Sequence, residues 1–211
     1  MLLKKNDVIL FQGDSVTDCG RARDSFYDLG VGYPLIISSL LFHKYRDLNL
    51  TFINRAVGGD RTTEMLARFQ ADCLDLDPKP TVVSILIGIN DVWRRYDANN
   101  PTTAETFERQ YRAMLSDIKE KLDARIIMLE PFVLPNPEDR KAWREDLDPK
   151  LQIVRKLALE FGATLVPLDG AFAAAYVQRP GSYYSADGVH PSYAGHGLIA
   201  DEWCRAVGVD L

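Results

Sequence analysis

Apolar residues in this chain come in two rhythms. Short runs with little polar interruption predict five strands: Val8-Ile9-Leu10-Phe11, Leu50-Thr51-Phe52-Ile53, Val82-Val83-Ser84-Ile85-Leu86-Ile87, Ile126-Ile127-Met128-Leu129 and Thr164-Leu165-Val166. Runs that are apolar on both faces suit a parallel sheet covered by helices above and below. Around them, apolar positions recur at helical spacing over about 33–44, 62–73, 103–121, 148–161 and 192–207. Strands alternating with helices of this length predict βαβ units, hence the α/β class with a doubly wound parallel sheet. Five such strands most simply take the order 2-1-3-4-5, which puts the switch point between strands 1 and 3. Ligands bind outside the carboxyl ends of the strands at such a point, so the chemistry is expected just after strands 1, 2 and 3. No linker or internal repeat divides the chain, and residues 1–211 are read as one domain. The segment 131–148, Pro-rich and then charged, is long for a βα connection and is a candidate lid or oligomer contact.

Composition narrows the picture by exclusion. The 211 residues are 46% hydrophobic and 26% charged, an ordinary globular balance, and carry a net charge of −5. That charge argues against a nucleic-acid partner, which would call for a basic patch. No apolar stretch approaches the roughly 20 residues that a membrane span needs, and the first seven residues lack the apolar core of a signal peptide. Cys19, Cys73 and Cys204 are odd in number and widely spaced, which fits free thiols in a reducing compartment, so the expected address is the cytoplasm. No Cys/His spacing has the form of a metal site.

The residues after each strand carry the candidate chemistry. Strand 1 is followed by Gly13-Asp14-Ser15-Val16-Thr17-Asp18. Asp14 or Ser15 could simply cap a helix there; alternatively Ser15 is a nucleophile whose own N–H faces the switch-point crevice. After strand 2 come Gly58-Gly59-Asp60, either a plain turn or a place where the Gly59 N–H meets a substrate oxygen unobstructed. After strand 3 come Gly88-Ile89-Asn90-Asp91, either turn residues or a source of an oxyanion donor in the Asn90 amide. Near the end stands Asp187-Gly188-Val189-His190-Pro191-Ser192. Asp-Gly is a common turn and Ser192 a ready N-cap, but Asp187 can also reach back to the His190 Nδ1–H and leave Nε2 free to take a serine proton. His43 lies inside a helical pattern, and His196 has no carboxylate nearby, so both are poorer candidates. Each piece has an ordinary reading. Their joint occurrence, in this order and at these places, favours a catalytic one.

The four blocks resemble the GDSL, or SGNH, hydrolase family, with Ser15, Gly59, Asn90 and His190 standing where its four name residues stand. The resemblance spans the chain and implies a flavodoxin-like α/β/α sandwich without metal or organic cofactor. It implies Ser15, Asp187 and His190 as the triad and Ser15, Gly59 and Asn90 as the oxyanion hole. The stretches 13–23, 87–97 and 189–196 look more narrowly like bacterial acetyl-xylooligosaccharide esterases. That likeness implies a small-molecule or oligosaccharide ester as substrate, deacetylation of short xylan fragments, and a homo-oligomer. Two departures bear on the substrate: 182–186 holds no tryptophan, and Gly59 is followed by the charged pair Asp60-Arg61. Trp93, Tyr96, Tyr183 and Tyr184 are candidate sugar-stacking residues, with core or interface packing as the alternative, and Asp14 is a candidate substrate contact. Rival readings are a lysophospholipase or thioesterase for longer acyl chains, a catalytically idle carbohydrate binder, and a flavodoxin-like cofactor binder.

Overall fold

A computed structural model describes residues 1–25 and 27–209. Its centre is a five-stranded, all-parallel sheet in the order β2-β1-β3-β4-β5. The strands are β1 (Val8–Gly13), β2 (Thr51–Asn54), β3 (Val82–Leu86), β4 (Arg125–Leu129) and β5 (Thr164–Val166). The predicted order is the observed one, and Phe11 of β1 sits in register with Asn54 on one side and Ser84 on the other.

Alternate residues of each strand feed two separate cores, one on each face of the sheet. Ile9, Phe11, Leu86 and Leu129 pack against Tyr33, Ile37, Ile199 and Trp203. These come from α2 (Tyr33–Lys44) and α9 (Tyr193–Ala206). Leu10, Ile53, Ile85 and Met128 pack on the opposite face against Met65, Phe107, Leu115 and Leu157. Those belong to α3 (Thr62–Phe69), α5 (Ala104–Lys121) and α6 (Arg144–Phe161). Burial on this scale stabilises strongly: truncating a fully buried residue such as Phe11 to alanine costs ~3–5 kcal/mol. The buried Ser84, inward on the first core's face of β3, is matched, since Trp203 Nε1 donates to Ser84 Oγ at 3.0 Å.

Local signals account for several helix ends. Asp14 caps α1 (Ser15–Asp18) by accepting from the Val16 N–H at 3.0 Å. Thr103 caps α5 and Ser192 caps α9 in the same way. Gly162, at φ +62°, ends α6. Three helices lie outside the expected set: α4 (Ile89–Asp97), α7 (Leu168–Gln178) and the short α8 (Gly181–Tyr184). The helix expected at 148–161 starts four residues earlier, with Pro149 in its second turn. Pro149 there forfeits a bond to the Glu145 carbonyl only, near the end of the helix.

The segment 131–148 is packed down. Phe132, Val133 and Leu134 are buried, a 3-10 turn covers Glu138–Trp143, and Trp143 is only 2% exposed. Tyr96 stacks on Trp143 with ring centroids 5.2 Å apart. The three cysteines are free thiols. Among the described residues no helix is long and apolar enough to cross a membrane.

Candidate active site

β1 ends in Gly13 because nothing larger fits. A Cβ there would lie 2.4 Å from the Leu86 carbonyl oxygen and 2.5 Å from Thr17 Oγ1. That close approach carries the chain directly from the central strand into α1, and Ser15 becomes its first residue. Ser15 therefore has a helix-start N–H with no carbonyl four residues behind it inside the helix.

Facing Ser15 is the loop between α8 and α9. The Ser15 hydroxyl lies 2.9 Å from His190 Nε2, and His190 Nδ1 lies 2.7 Å from Asp187 Oδ2. An ionised carboxylate only accepts, so Nδ1 carries the proton and Nε2 is left to accept from the Ser15 hydroxyl. The other Asp187 oxygen accepts from the N–H groups of Val189 and His190, at 2.9 and 2.8 Å, and from the Ser185 hydroxyl at 3.1 Å. Partial burial opposes the Asp187 charge, but the bonds from His190 and from these two backbone N–H groups outweigh it and bring the carboxyl down to about 2. The loop is held from outside as well. Asn136 Nδ2 donates to the Ser185 carbonyl at 2.8 Å, and Arg140 Nε donates to the Asp187 carbonyl at 3.1 Å.

On the other side of Ser15, β2 delivers the turn at Gly58 and Gly59. A Cβ at Gly58 would lie 3.6 Å from Ser15 Cβ, so this turn abuts Ser15. The Gly58 N–H is engaged by Asp18 Oδ2 at 2.9 Å. Gly59 has φ +90°, a conformation suited to glycine, and its N–H makes no hydrogen bond among the described residues. Asn90, in the first turn of α4, is 3% exposed and donates one amide hydrogen to the Asp60 carbonyl at 3.0 Å. That bond orients the amide and leaves its second hydrogen free to meet an oxyanion. Beneath it, the Asp91 carboxylate accepts from the Thr62 N–H and hydroxyl and so ties α4 to the start of α3.

The remaining expected residues separate clearly. Trp93 lies beside the pair, its ring centroid 5.8 Å from that of His190. Asp14 caps α1 and does not reach the surface: it is 1% exposed, and burial raises its carboxyl to about 7. Tyr184 is likewise turned away, half-buried against the first core with its ring edge-on to Phe172. Tyr96 packs on Trp143, while Tyr183 is 55% exposed. His196 is buried against Tyr33, whose N–H donates to Nδ1 at 3.2 Å, and Cys19 Sγ lies 3.4 Å from Nε2. Burial, then the nearby His190, holds the His196 imidazole down to about 4. Asp18, Asn136 and Arg140 escape a sequence reading because their contacts at the site join residues 40 to 49 positions apart.

A cavity of about 400 Å³ is lined by Arg140 together with Val133, Leu134, Phe172 and Tyr176 among others. None of Ser15, Asp187 and His190 lines it.

Residues 11–198 match the GDSL-like Lipase/Acylhydrolase family. The chain belongs to that family. It is accordingly a carboxylic ester hydrolase. This GDSL hydrolase is 33% identical to an acetylxylan esterase of Geobacillus stearothermophilus, over 100% of this chain and 98% of that one. A solved structure of an acetylxylan esterase from Geobacillus stearothermophilus superposes with a TM-score of 0.90 at 30% identity, covering 100% of this chain and 98% of that one. A structure from Parabacteroides merdae, described as GDSL-like, reaches a TM-score of 0.92 at 38% identity over 99% and 98%. The matches include catalytic mutants of the Geobacillus enzyme with a serine, an aspartate or a histidine changed to alanine. Its aspartate and histidine are spaced three residues apart, as are Asp187 and His190 here.

Proposed function

We propose that this hydrolase removes O-acetyl groups from short carbohydrates, acetylated xylo-oligosaccharides being the favoured substrate, through an acyl-enzyme on Ser15. The observation that carries this is the continuous chain from Ser15 Oγ through His190 to Asp187, at 2.9 and 2.7 Å. Ser15 attacks the ester carbonyl while His190 Nε2 takes its proton, and Asp187 stabilises the imidazolium that forms. The Ser15 and Gly59 N–H groups and the Asn90 amide receive the developing oxyanion. His190 then returns the proton to the departing sugar hydroxyl, and water repeats the sequence to free acetate and Ser15. Likeness to the acetylxylan esterase over the whole chain supports the substrate class. Trp93, beside His190, is positioned to stack on a pyranose next to the scissile ester.

A second reading, hydrolysis of longer acyl esters, is favoured by one feature, the apolar cavity that Arg140 helps to line. One experiment separates the two. Acetate release from acetylated xylo-oligosaccharides is followed beside hydrolysis of acetyl and octanoyl esters, with Ser15→Ala as the blank. Serine-dependent acetate release with poor octanoyl cleavage supports the deacetylase reading. Preference for octanoyl esters, with the oligosaccharides untouched, moves the function to the second reading.

A further inference from the structure

Beneath the three oxyanion donors lies one guanidinium that no step of the mechanism uses. Arg68, on α3, has a side chain only 18% exposed. Its Nε donates to Asp60 Oδ2 at 2.6 Å. Its Nη1 lies within hydrogen-bond reach of Gln12 Oε1 (3.0 Å), the Arg55 carbonyl (2.7 Å) and Asp72 Oδ2 (3.1 Å). Its Nη2 donates to the Gly13 carbonyl at 3.3 Å. The five acceptors belong to the end of β1, the end of β2, the turn after it, and the segment following α3.

These acceptors are placed tellingly with respect to the reaction. Gly13 is two residues before the nucleophile. Asp60 follows Gly59 directly, and its carbonyl is the group that orients the Asn90 amide. A shift of residue 60 therefore moves two oxyanion donors together, and a shift of residue 13 moves the third. Arg68 grips both. A planar guanidinium can span such divergent acceptors because its donors are fixed in a fork, whereas a lysine ammonium offers three donors at one point.

We propose that Arg68 is the positioning residue of the oxyanion hole, setting the spacing of the Ser15 N–H, the Gly59 N–H and the Asn90 amide. The inference rests on the serine-esterase reading above. Loss of the clamp loosens groups that meet only the transition state, so kcat falls while substrate binding is kept.

The test compares wild type, Arg68→Met, Arg68→Lys and Asp60→Ala on 4-nitrophenyl acetate. Each preparation is titrated to completion with a 4-nitrophenyl phosphonate, so that kcat is expressed per competent serine. Arg68→Lys keeps the charge and Asp60→Ala keeps the other four Arg68 contacts, so the test survives if Arg68→Met does not fold. Per-site kcat is expected to fall on the order of 10²-fold in the variants, with KM changed less than about threefold. The second-order rate of phosphonylation should fall in parallel. Unchanged per-site kcat, with only the competent fraction reduced, would show Arg68 to be structural and overturn the inference. A loss carried by KM would overturn it as well. If wild type neither cleaves the ester nor takes the phosphonate, the esterase reading itself fails, a different result from either.

Discussion

Asp14 and Asn90, on the Ser15 side of the site, are 1% and 3% exposed, whereas the side chains of Asp187 and His190 are 40% and 46% exposed across from them. The Ser15 side grows out of the sheet. Its groups follow β1, β2 and β3 and are tied together from below by Arg68, Asp91 and the Asp60 carbonyl. The Asp187–His190 side is a loop with exposed side chains, fixed by its own backbone N–H groups and by Asn136 and Arg140. In the mechanism we propose, the two sides have different tasks. Oxyanion donors must stand in place before charge develops, and a buried polar network supplies that preorganisation. The histidine must shuttle a proton and let the alcohol leave, which an exposed loop with a short internal relay allows.

The comparison can be broken at several points. Replacing the nucleophile has the largest expected effect: Ser15→Ala should lose on the order of 10⁶ in kcat, and retention of more than about a tenth of activity would remove Ser15 from the role. On the buried side, Asn90→Ala should cost on the order of 10²–10³ in kcat with KM little changed. A loss confined to KM would make Asn90 a substrate contact instead. On the loop side the sharpest probe is Gly188→Ala. Gly188 has φ +82°, and a Cβ there would lie 2.3 Å from the Asn136 carbonyl oxygen, so the loop that carries Asp187 and His190 must move. We expect kcat to fall on the order of 10²-fold, with a loss of Tm beside it, because Val189 is 1% exposed and the Gly188 carbonyl accepts from the Leu134 N–H. A loss of Tm with per-site kcat intact would mean that strain at residue 188 does not reach His190.

The smallest effect on activity is expected at Asp14, where the readout is stability against pH. Its carboxyl is raised from 3.8 to about 7 in the folded protein, first by burial and then by the negative Asp91 and Asp60. Between those values the native state holds a proton that the unfolded chain has released, so this group's contribution to stability falls as pH rises from about 4 to about 7. Asparagine keeps the cap acceptor without the charge. Asp14→Asn should therefore raise Tm more at pH 8 than at pH 5, with KM unchanged. A pH-independent difference would contradict the buried charge, and a raised KM would return Asp14 to the substrate.

The sheet was legible because its strands are apolar on both faces, a signal that survives burial. The proposed site could be located because sheet topology says where a parallel α/β domain keeps its ligands, and the blocks at Ser15, Gly59 and Asn90 follow β1, β2 and β3. Two long helices were not. The Gly88-Ile89-Asn90-Asp91 stretch reads as a turn, yet α4 starts there because Gly88, at φ +133°, makes the corner and Asp91 turns its carboxylate down to Thr62. Helix α7 is rich in alanine and carries Gly170, so it shows no polar–apolar alternation to detect. Asp14 reads from sequence as a helix cap or as a substrate contact, and its side chain caps the helix that Ser15 begins. The supports at Arg68, Asn136 and Arg140 arise from long-range packing and leave no local pattern.

The most direct test of the central claim is to locate the acyl group. Enzyme turning over an acetylated xylo-oligosaccharide is quenched in acid, digested, and its peptides are weighed by mass spectrometry. The account predicts an acetyl group on the peptide bearing Ser15 in wild type and on no peptide in Ser15→Ala. An acetyl group on another residue, or acetate release that persists in Ser15→Ala, would contradict it.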